Sequence, residues 1–309
     1  MQENASFLPI PLNQAWHGRR ETMQMLMKYA FKHPINALEI GVWFGLGSTQ
    51  IWLDNLKPQS NLLLLDSWRP YASQSDLSNM QWDYKSSDNM STDAFLSTFL
   101  NVKKFENEYR DRQISIQMTR GRSKDFLPFL RDDSFDFIYI DGDHRYADSK
   151  FDIIQAKRLI KKDFGIICGD DLELLPTNAL IEIAKNNTDT DFVKEPQAFH
   201  PGVLLAVSEE FDHVNMVNGF WWVICKNGEF NTCSIEFEMQ FMDNPMADVR
   251  LLEQDVNGYN IVMLDTIFLG VPISLGELNL RKKEDLARPG IIVKLSLQEL
   301  KTEIARITA

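Results

Sequence analysis

Two segments, FDFIYIDGDH (Phe135 to His144) and GIICGDD (Gly165 to Asp171), hold the side chains best suited to chemistry. Each begins as an apolar run of the kind that fills a buried parallel strand and ends in ionisable residues. Open α/β sheets bind their ligands beyond the carboxyl ends of such strands. Two of these strands side by side would gather Asp141, Asp143, His144, Asp170 and Asp171 around one crevice. Carboxylates crowded together repel one another unless protons or a divalent cation neutralise them, so the cluster predicts an oxygen-ligand metal site with a base beside it. Aspartates that follow strands also cap the next helix, and this is the purely structural alternative.

A second chemical signal lies in NALEIGVWFGLGSTQIWL, where a strand pattern ends in Glu39, passes Gly41, Gly45 and Gly47 and enters a helix near Ser48. Glycines at a strand-to-helix turn let the backbone approach a ligand closely, and the helix start adds unpaired N–H groups. The spacing is E-x-G-x-x-x-G-x-G, wider than the G-x-G-x-x-G of dinucleotide folds. The next apolar run, NLLLLDSW, ends in Asp66. An acidic residue about 20 positions after a glycine loop is placed to accept hydrogen bonds from ribose hydroxyls.

The elements that must position these residues are legible in outline. Trp16 to Phe31 reads as an amphipathic helix. Strand patterns at Ala37 to Gly41, Leu62 to Asp66, Ile114 to Thr119, Phe135 to Asp141 and Gly165 to Asp170 alternate with helical or mixed segments, which predicts a parallel sheet with helices on both faces. Pro70 to Thr92, polar and containing Trp82 and Tyr84, reads as a lid or binding loop, or as disorder. Helices are expected over Leu172 to Asn186 and Val203 to Phe211. In HVNMVNGFWWVICKNG the dipeptide Asn218-Gly219 predicts a tight hairpin and hence an antiparallel pair at the sheet edge.

Beyond about residue 230 the pattern changes: Asn260 to Ser274 suggests a second hairpin and Leu297 to Ile307 a terminal helix. The expected division is a domain over 1–230, with an N-terminal helical segment 1–35, and a small β-containing appendage over 231–309 for oligomerisation or substrate capping. No repeat or low-complexity tract is present.

At 309 residues and 44% hydrophobic, the chain can bury a full core. Its formal charge of -12 argues against nucleic acid as the main partner, because phosphate binding needs clustered Lys and Arg. No window reaches the roughly 18 uninterrupted apolar residues of a membrane span, and the N-terminus lacks a leader pattern, so a cytoplasmic protein is expected. The three cysteines, Cys168, Cys225 and Cys233, show neither disulfide nor thiolate-metal spacing.

Taken together, LEIGVWFGLGS, LLLLDSW, GRSKDFL, FIYIDGDHRYADSKFDI and GIICGDD resemble the class I S-adenosylmethionine (SAM) methyltransferases, from about Asn36 to Gly228. The resemblance implies a Rossmann-like α/β fold with a seven-stranded sheet. It puts Glu39, Gly41, Gly45, Gly47 and Ser48 on the cofactor, Asp66 on its ribose with Ser67 and Trp68 nearby, and Gly121, Arg122 and Ser123 beside the adenine. A helix N-cap is the structural alternative for Ser123.

Within that family the chain is similar to the metal-dependent sugar O-methyltransferases of the macrolide-tailoring type. In that group an Asp-Gly-x-His strand end and a later acidic pair carry magnesium and the general base. The matching residues are Asp141 and His144, with Asp170 and Asp171; Asp141 counts as a catalytic, cofactor-binding and metal residue, and Asp141, Asp170 and Asp171 form the implied Mg2+ set.

In-line methyl transfer to an alcohol needs an aligned, deprotonated oxygen. A bound magnesium ion would orient the hydroxyl and lower its pKa, and His144, expected near its ordinary value, would take the proton. The implied substrate is a hydroxylated small molecule such as a sugar or glycosylated natural product, in a monomer or homo-oligomer. A catechol-like acceptor, or an inactive SAM-binding scaffold subunit, are the alternatives.

Asp143 is left as a fourth ligand or a solvent-facing neighbour, His200 as a substrate-side residue or a helix start beside Pro201, and Arg145 as an exposed helical position or a residue facing a carboxylate in the cleft. Tyr146, Trp221 and Trp222 read as packing.

Overall fold

The computed structural model describes residues 19–69, 88–194, 197–232, 249–264, 267–286, 288–294 and 296–308. The helix expected from Trp16 begins, within these residues, as α1 (Arg19–Ala30). Residues 70–87 of the expected lid and Cys233 lie outside the described residues, and the remainder of the lid segment enters a long helix, α3 (Asp88–Glu108).

The five expected strands are all present: β1 (Asn36–Ile40), β2 (Asn61–Asp66), β3 (Ser115–Arg120), β4 (Phe137–Ile140) and β5 (Phe164–Leu172). They pair in parallel in the order β3-β2-β1-β4-β5. An antiparallel β7 (Gly219–Lys226) continues the sheet to β6 (Asn215–Val217), giving the expected seven strands, and an additional strand, β8 (Glu229–Asn231), pairs with β7. Sequence order reverses direction between β1 and β4, the kind of switch point beside which α/β sheets open a crevice.

Alternating side chains divide the core into two layers. On one face Leu64, Phe137, Tyr139, Phe220 and Trp222 pack against α1, α2 (Ser48–Asn55) and α3. On the other, Ile138, Ile140, Trp221 and Val223 pack against α5 (Tyr146–Leu159) and α7 (Pro201–Glu210). Phe137, Trp221 and Trp222 are at most 2% exposed, and burying an aromatic of this size contributes about 1.5–3 kcal/mol. These tryptophans are packing residues, as expected.

The segment read as one helix from Leu172 is divided. Leu172 closes β5, and α6 spans only Asn178–Lys185, capped by Thr177, whose Oγ1 accepts from Leu180 N at 3.3 Å. The Asn218-Gly219 hairpin is present, with both residues at positive φ (48° and 87°) and Val217 opposite Phe220, the geometry of a type I′ turn.

In the C-terminal part, β9 (Val249–Val256), β10 (Tyr259–Leu264), β11 (Ile267–Pro272) and β12 (Ile292–Lys294) form an antiparallel sheet in the order β12-β11-β10-β9. The expected hairpin is β10–β11, and two further strands complete the sheet. The helix Leu297–Thr308, α8, sets Leu300 and Ile304 against Ile261 on one face. Val262, Leu264, Leu269 and Val271 form a separate core. No helix among the described residues is long and apolar enough to cross a membrane.

Candidate active site

The glycine loop follows β1 directly. Gly41 has φ 84°, and a Cβ there would lie 1.6 Å from the carbonyl oxygen of Asp141, so only glycine permits the β1 and β4 ends to meet this closely. Asp66 organises the rest: Oδ2 accepts from Val42 N and Trp43 N, each at 2.8 Å, and Oδ1 from Trp68 N at 2.6 Å. Burial raises the Asp66 carboxyl above its ordinary value, partly offset by these N–H donors. Trp68 Nε1 donates to Trp43 O at 2.8 Å, and Thr98 Oγ1 from α3 donates to the same oxygen at 2.6 Å. The ribose candidate is thus also the tie that shapes the loop, while Ser67 is half-buried beside it.

Gly45 also has positive φ, and Gly47 is the N-cap of α2. Ser48 Oγ donates to Glu39 Oε1 at 2.5 Å. Glu39 is fully buried at the end of β1, and its Oε2 has no hydrogen-bond partner among the described residues. Burial pushes its carboxyl up to about 8, against the pull of the Ser48 and Thr49 hydroxyls.

After β3, a Cβ on Gly121 would meet the Phe126 ring at 2.1 Å. Arg122 is exposed and pairs with Asp125 at 3.0 Å. The N-cap of the following short helix, α4 (Ser123–Phe126), is Arg122 rather than Ser123, so the capping alternative for Ser123 does not hold. Ser123 is instead hydrogen-bonded to Asp152, a buried carboxyl of α5 raised to about 7, chiefly by burial.

The acidic strand ends do converge, with one redistribution. His144 Nε2 lies 3.0 Å from Asp171 Oδ2 and 3.8 Å from Asp141 Oδ1, and these three residues offer ligand atoms within 4.8 Å of one another. Asp170 faces elsewhere. It is ion-paired with Arg19 of α1, accepts from the Tyr139 hydroxyl at 3.2 Å, and its Oδ1 accepts from Asp171 N at 2.7 Å. The Tyr139 hydroxyl also reaches Asp141 Oδ2 at 3.1 Å. Of the expected Asp141, Asp170 and Asp171 set, the structure therefore brings Asp141 and Asp171 together with His144 and commits Asp170 to a buried arginine.

His200, just before α7, joins the cluster: its ring centroid is 4.6 Å from that of His144, and its Nδ1 is 2.6 Å from Glu173 Oε1 and 3.7 Å from Asp171 Oδ1. Burial opposes charge on His144, but the Asp171, Asp141 and Asp191 carboxylates outweigh it and hold the imidazole well above its ordinary value. His144 is therefore not near its ordinary value, contrary to the sequence expectation. Asp171 is held well below the carboxylate range because His200 and His144 outweigh its burial.

Asp143 is not among the ligand atoms gathered in this cluster; its half-buried carboxylate pairs with Arg145 at 3.0 Å. Arg145 precedes α5 and is partly buried by that contact, so it is not an exposed helical position. Tyr146 donates to Glu209 at 2.7 Å. Sequence reasoning missed Tyr139, Glu173 and Asp191; the last, almost fully buried, lies 2.9 Å from His144 Nδ1.

Residues 38–172 match a family model described as a methyltransferase domain. That stretch runs from β1 to the end of β5 and contains the glycine loop, Asp66, Ser123, His144 and Asp171. Over those residues the chain is similar to a methyltransferase domain.

Among solved structures, the chain is similar to cofactor-bound Rv0187 from MTB (17% identity, 67% of this chain and 79% of that one, TM-score 0.41). It is also similar to a putative O-methyltransferase from Klebsiella pneumoniae (16%, 67% and 80%, TM-score 0.39). A third is the O-methyltransferase from Bacillus cereus in complex with SAH (15%, 66% and 77%, TM-score 0.37). At these identities and scores they assign neither substrate nor mechanism to this chain. No curated protein matches it.

Proposed function

We propose that the protein is a SAM-dependent, Mg2+-dependent O-methyltransferase acting on a hydroxyl of a sugar or glycosylated small molecule. The observation that carries this reading is the meeting of His144, Asp141 and Asp171 at the strand ends beside the glycine loop. The residues fit a cationic cofactor: the buried Oε2 of Glu39 has no hydrogen-bond partner among the described residues. They also fit magnesium, which is commonly held by one or two carboxylates together with waters and substrate oxygens; Asp141 and Asp171 are those carboxylates.

In this reading Glu39, Gly41, Gly45, Gly47, Ser48 and Asp66 hold SAM, with Ser67, Trp68, Gly121, Arg122 and Ser123 along its nucleoside. When bound, SAM would supply a methyl group on its sulfonium sulfur, with the neutral thioether S-adenosylhomocysteine as the leaving group, and a divalent ion held by Asp141 and Asp171 would supply Lewis acidity and offset the carboxylate charge beside His144. His144 Nε2 receives the acceptor hydroxyl's proton as the oxygen attacks. Tyr139, bridging Asp141 and Asp170, keeps the Asp141 carboxylate turned toward the crevice. Residues 1–230 form the methyltransferase domain, and 231–309 an appendage that caps the acceptor or joins copies of the chain.

The test is methyl transfer from radiolabelled SAM to a panel of methyl glycosides and catechol, with and without chelator. Activity restored by added magnesium is expected, and His144→Ala should lower turnover by about 10²- to 10⁴-fold while still binding S-adenosylhomocysteine. Full activity after exhaustive chelation would remove the metal from the mechanism, and no transfer to any acceptor would reject the enzyme.

A further inference from the structure

We infer that Asp191 is a positioning residue of this site, a buried carboxylate that holds the imidazole of His144 by Nδ1 so that Nε2 faces the crevice; the inference rests on the proposed role of His144 as base. Asp191 is 1% exposed, and its Oδ1 lies 2.9 Å from His144 Nδ1, across 47 positions of sequence. An ionised carboxylate only accepts hydrogen bonds, so the nitrogen facing it must carry the proton. Nε2 is then the nitrogen presented to Asp141 and Asp171, at 3.8 and 3.0 Å.

The surrounding backbone is built to hold this pair. The loop carrying Asp191 is tied to the His144 segment by Tyr146 N donating to Thr188 O at 3.0 Å, and is closed by Val193 and Phe199, whose N–H groups each donate to the other's carbonyl at 3.0 Å. A Cβ on Gly202 would lie 2.3 Å from both His144 O and Tyr146 N, so α7 rests directly on the His144 backbone. Main-chain packing thus fixes where His144 starts, and Asp191 fixes how its ring is turned. A carboxylate is rarely buried without a hydrogen-bonded partner, because desolvation of an unpaired charge is strongly unfavourable. Here the partner is the ring that the chemistry requires.

Proton NMR of the full chain reads the contact directly. Wild type should show a downfield, slowly exchanging imidazole N–H resonance that disappears in His144→Gln and is lost or moved upfield in Asp191→Asn. With SAM and the methyl glycosides or catechol as acceptors, Asp191→Asn should lower kcat by about 10²-fold or more, since a misturned base fails in the transition state. The acceptor KM and the Kd for S-adenosylhomocysteine should stay within about threefold, the split expected for a transition-state role, and Asp191→Glu should recover part of kcat. A resonance unchanged in Asp191→Asn, or a fall in kcat matched by an equal loss of S-adenosylhomocysteine affinity, would overturn the inference. If wild type methylates no acceptor, the methyltransferase reading fails while the resonance still decides whether Asp191 holds His144. Should Asp191→Asn not fold, wild type against His144→Gln decides: no resonance unique to His144 means no such contact.

Discussion

Replacing Glu39 by Gln removes a fully buried carboxyl whose pKa is raised from 4.5 to about 8, chiefly by burial. The folded protein therefore prefers the protonated acid, whereas the unfolded chain releases that proton near 4.5. Linkage fixes the sign: the stabilising contribution is fully present below about 4.5 and is lost as pH rises through about 8. At 1.36 kcal/mol per pH unit, the wild-type stability attributable to this group falls by about 3 kcal/mol between about pH 5.5 and about pH 8.5. Gln keeps an acceptor for Ser48 Oγ and does not titrate.

Urea unfolding of both proteins at several pH values, taken as wild type minus variant, cancels every other titrating group that the substitution leaves undisturbed. That difference should slope downward by about the amount given, with Gln increasingly the more stable as pH rises. A difference that stays flat within about 0.5 kcal/mol would show that Glu39 is already ionised and paired, and would refute the reading of its unpartnered Oε2 as a waiting acceptor.

Two further substitutions separate loop building from metal binding. Asp66→Ala should weaken binding of S-adenosylhomocysteine by about 1.5–3 kcal/mol, measured by calorimetry, because the carboxylate accepts three backbone N–H groups that set the loop before any ribose arrives. Asp170→Asn should destabilise the fold by about 3–5 kcal/mol, since it leaves the Arg19 guanidinium buried against a neutral group, yet preserve the melting response to magnesium; Asp171→Asn should do the reverse.

Much of the sheet is legible because each central strand is an apolar run stopped by a polar or glycine residue, and Asn218-Gly219 marks its hairpin without help from tertiary structure. The same signal at Asn227-Gly228 and Asn257-Gly258, each with both residues at positive φ, marks the β7–β8 and β9–β10 turns. The additional strands are thus local features too. Asp141, His144 and Asp171 are visible as strand-end chemistry. Asp191 and Glu173 are not, because each meets its histidine only through the tertiary fold. Arg19 is hidden for the same reason: nothing in an amphipathic helix start signals that its guanidinium will be buried on an aspartate.

The separation of Asp170 from Asp171 follows from backbone geometry. Successive residues of a strand point to opposite faces, so an adjacent acidic pair does not enter one site unless the strand has ended. β5 continues through both residues to Leu172, and its pairing with β7 slips between Gly169 and Leu172. Asp171 sits at φ 62°, a left-handed conformation that Asp tolerates better than most residues, and its N–H is held by the preceding Asp170 Oδ1 at 2.7 Å. That irregularity carries the Asp171 carboxylate toward His144 and His200 while Asp170 stays with Tyr139 and Arg19. Non-glycine residues at positive φ persist where surrounding contacts over-determine them, commonly at functional sites. Here both neighbours of the bend are pinned by charge, so the bulge sends one carboxylate to the crevice and keeps the other in the core as the counter-ion of α1.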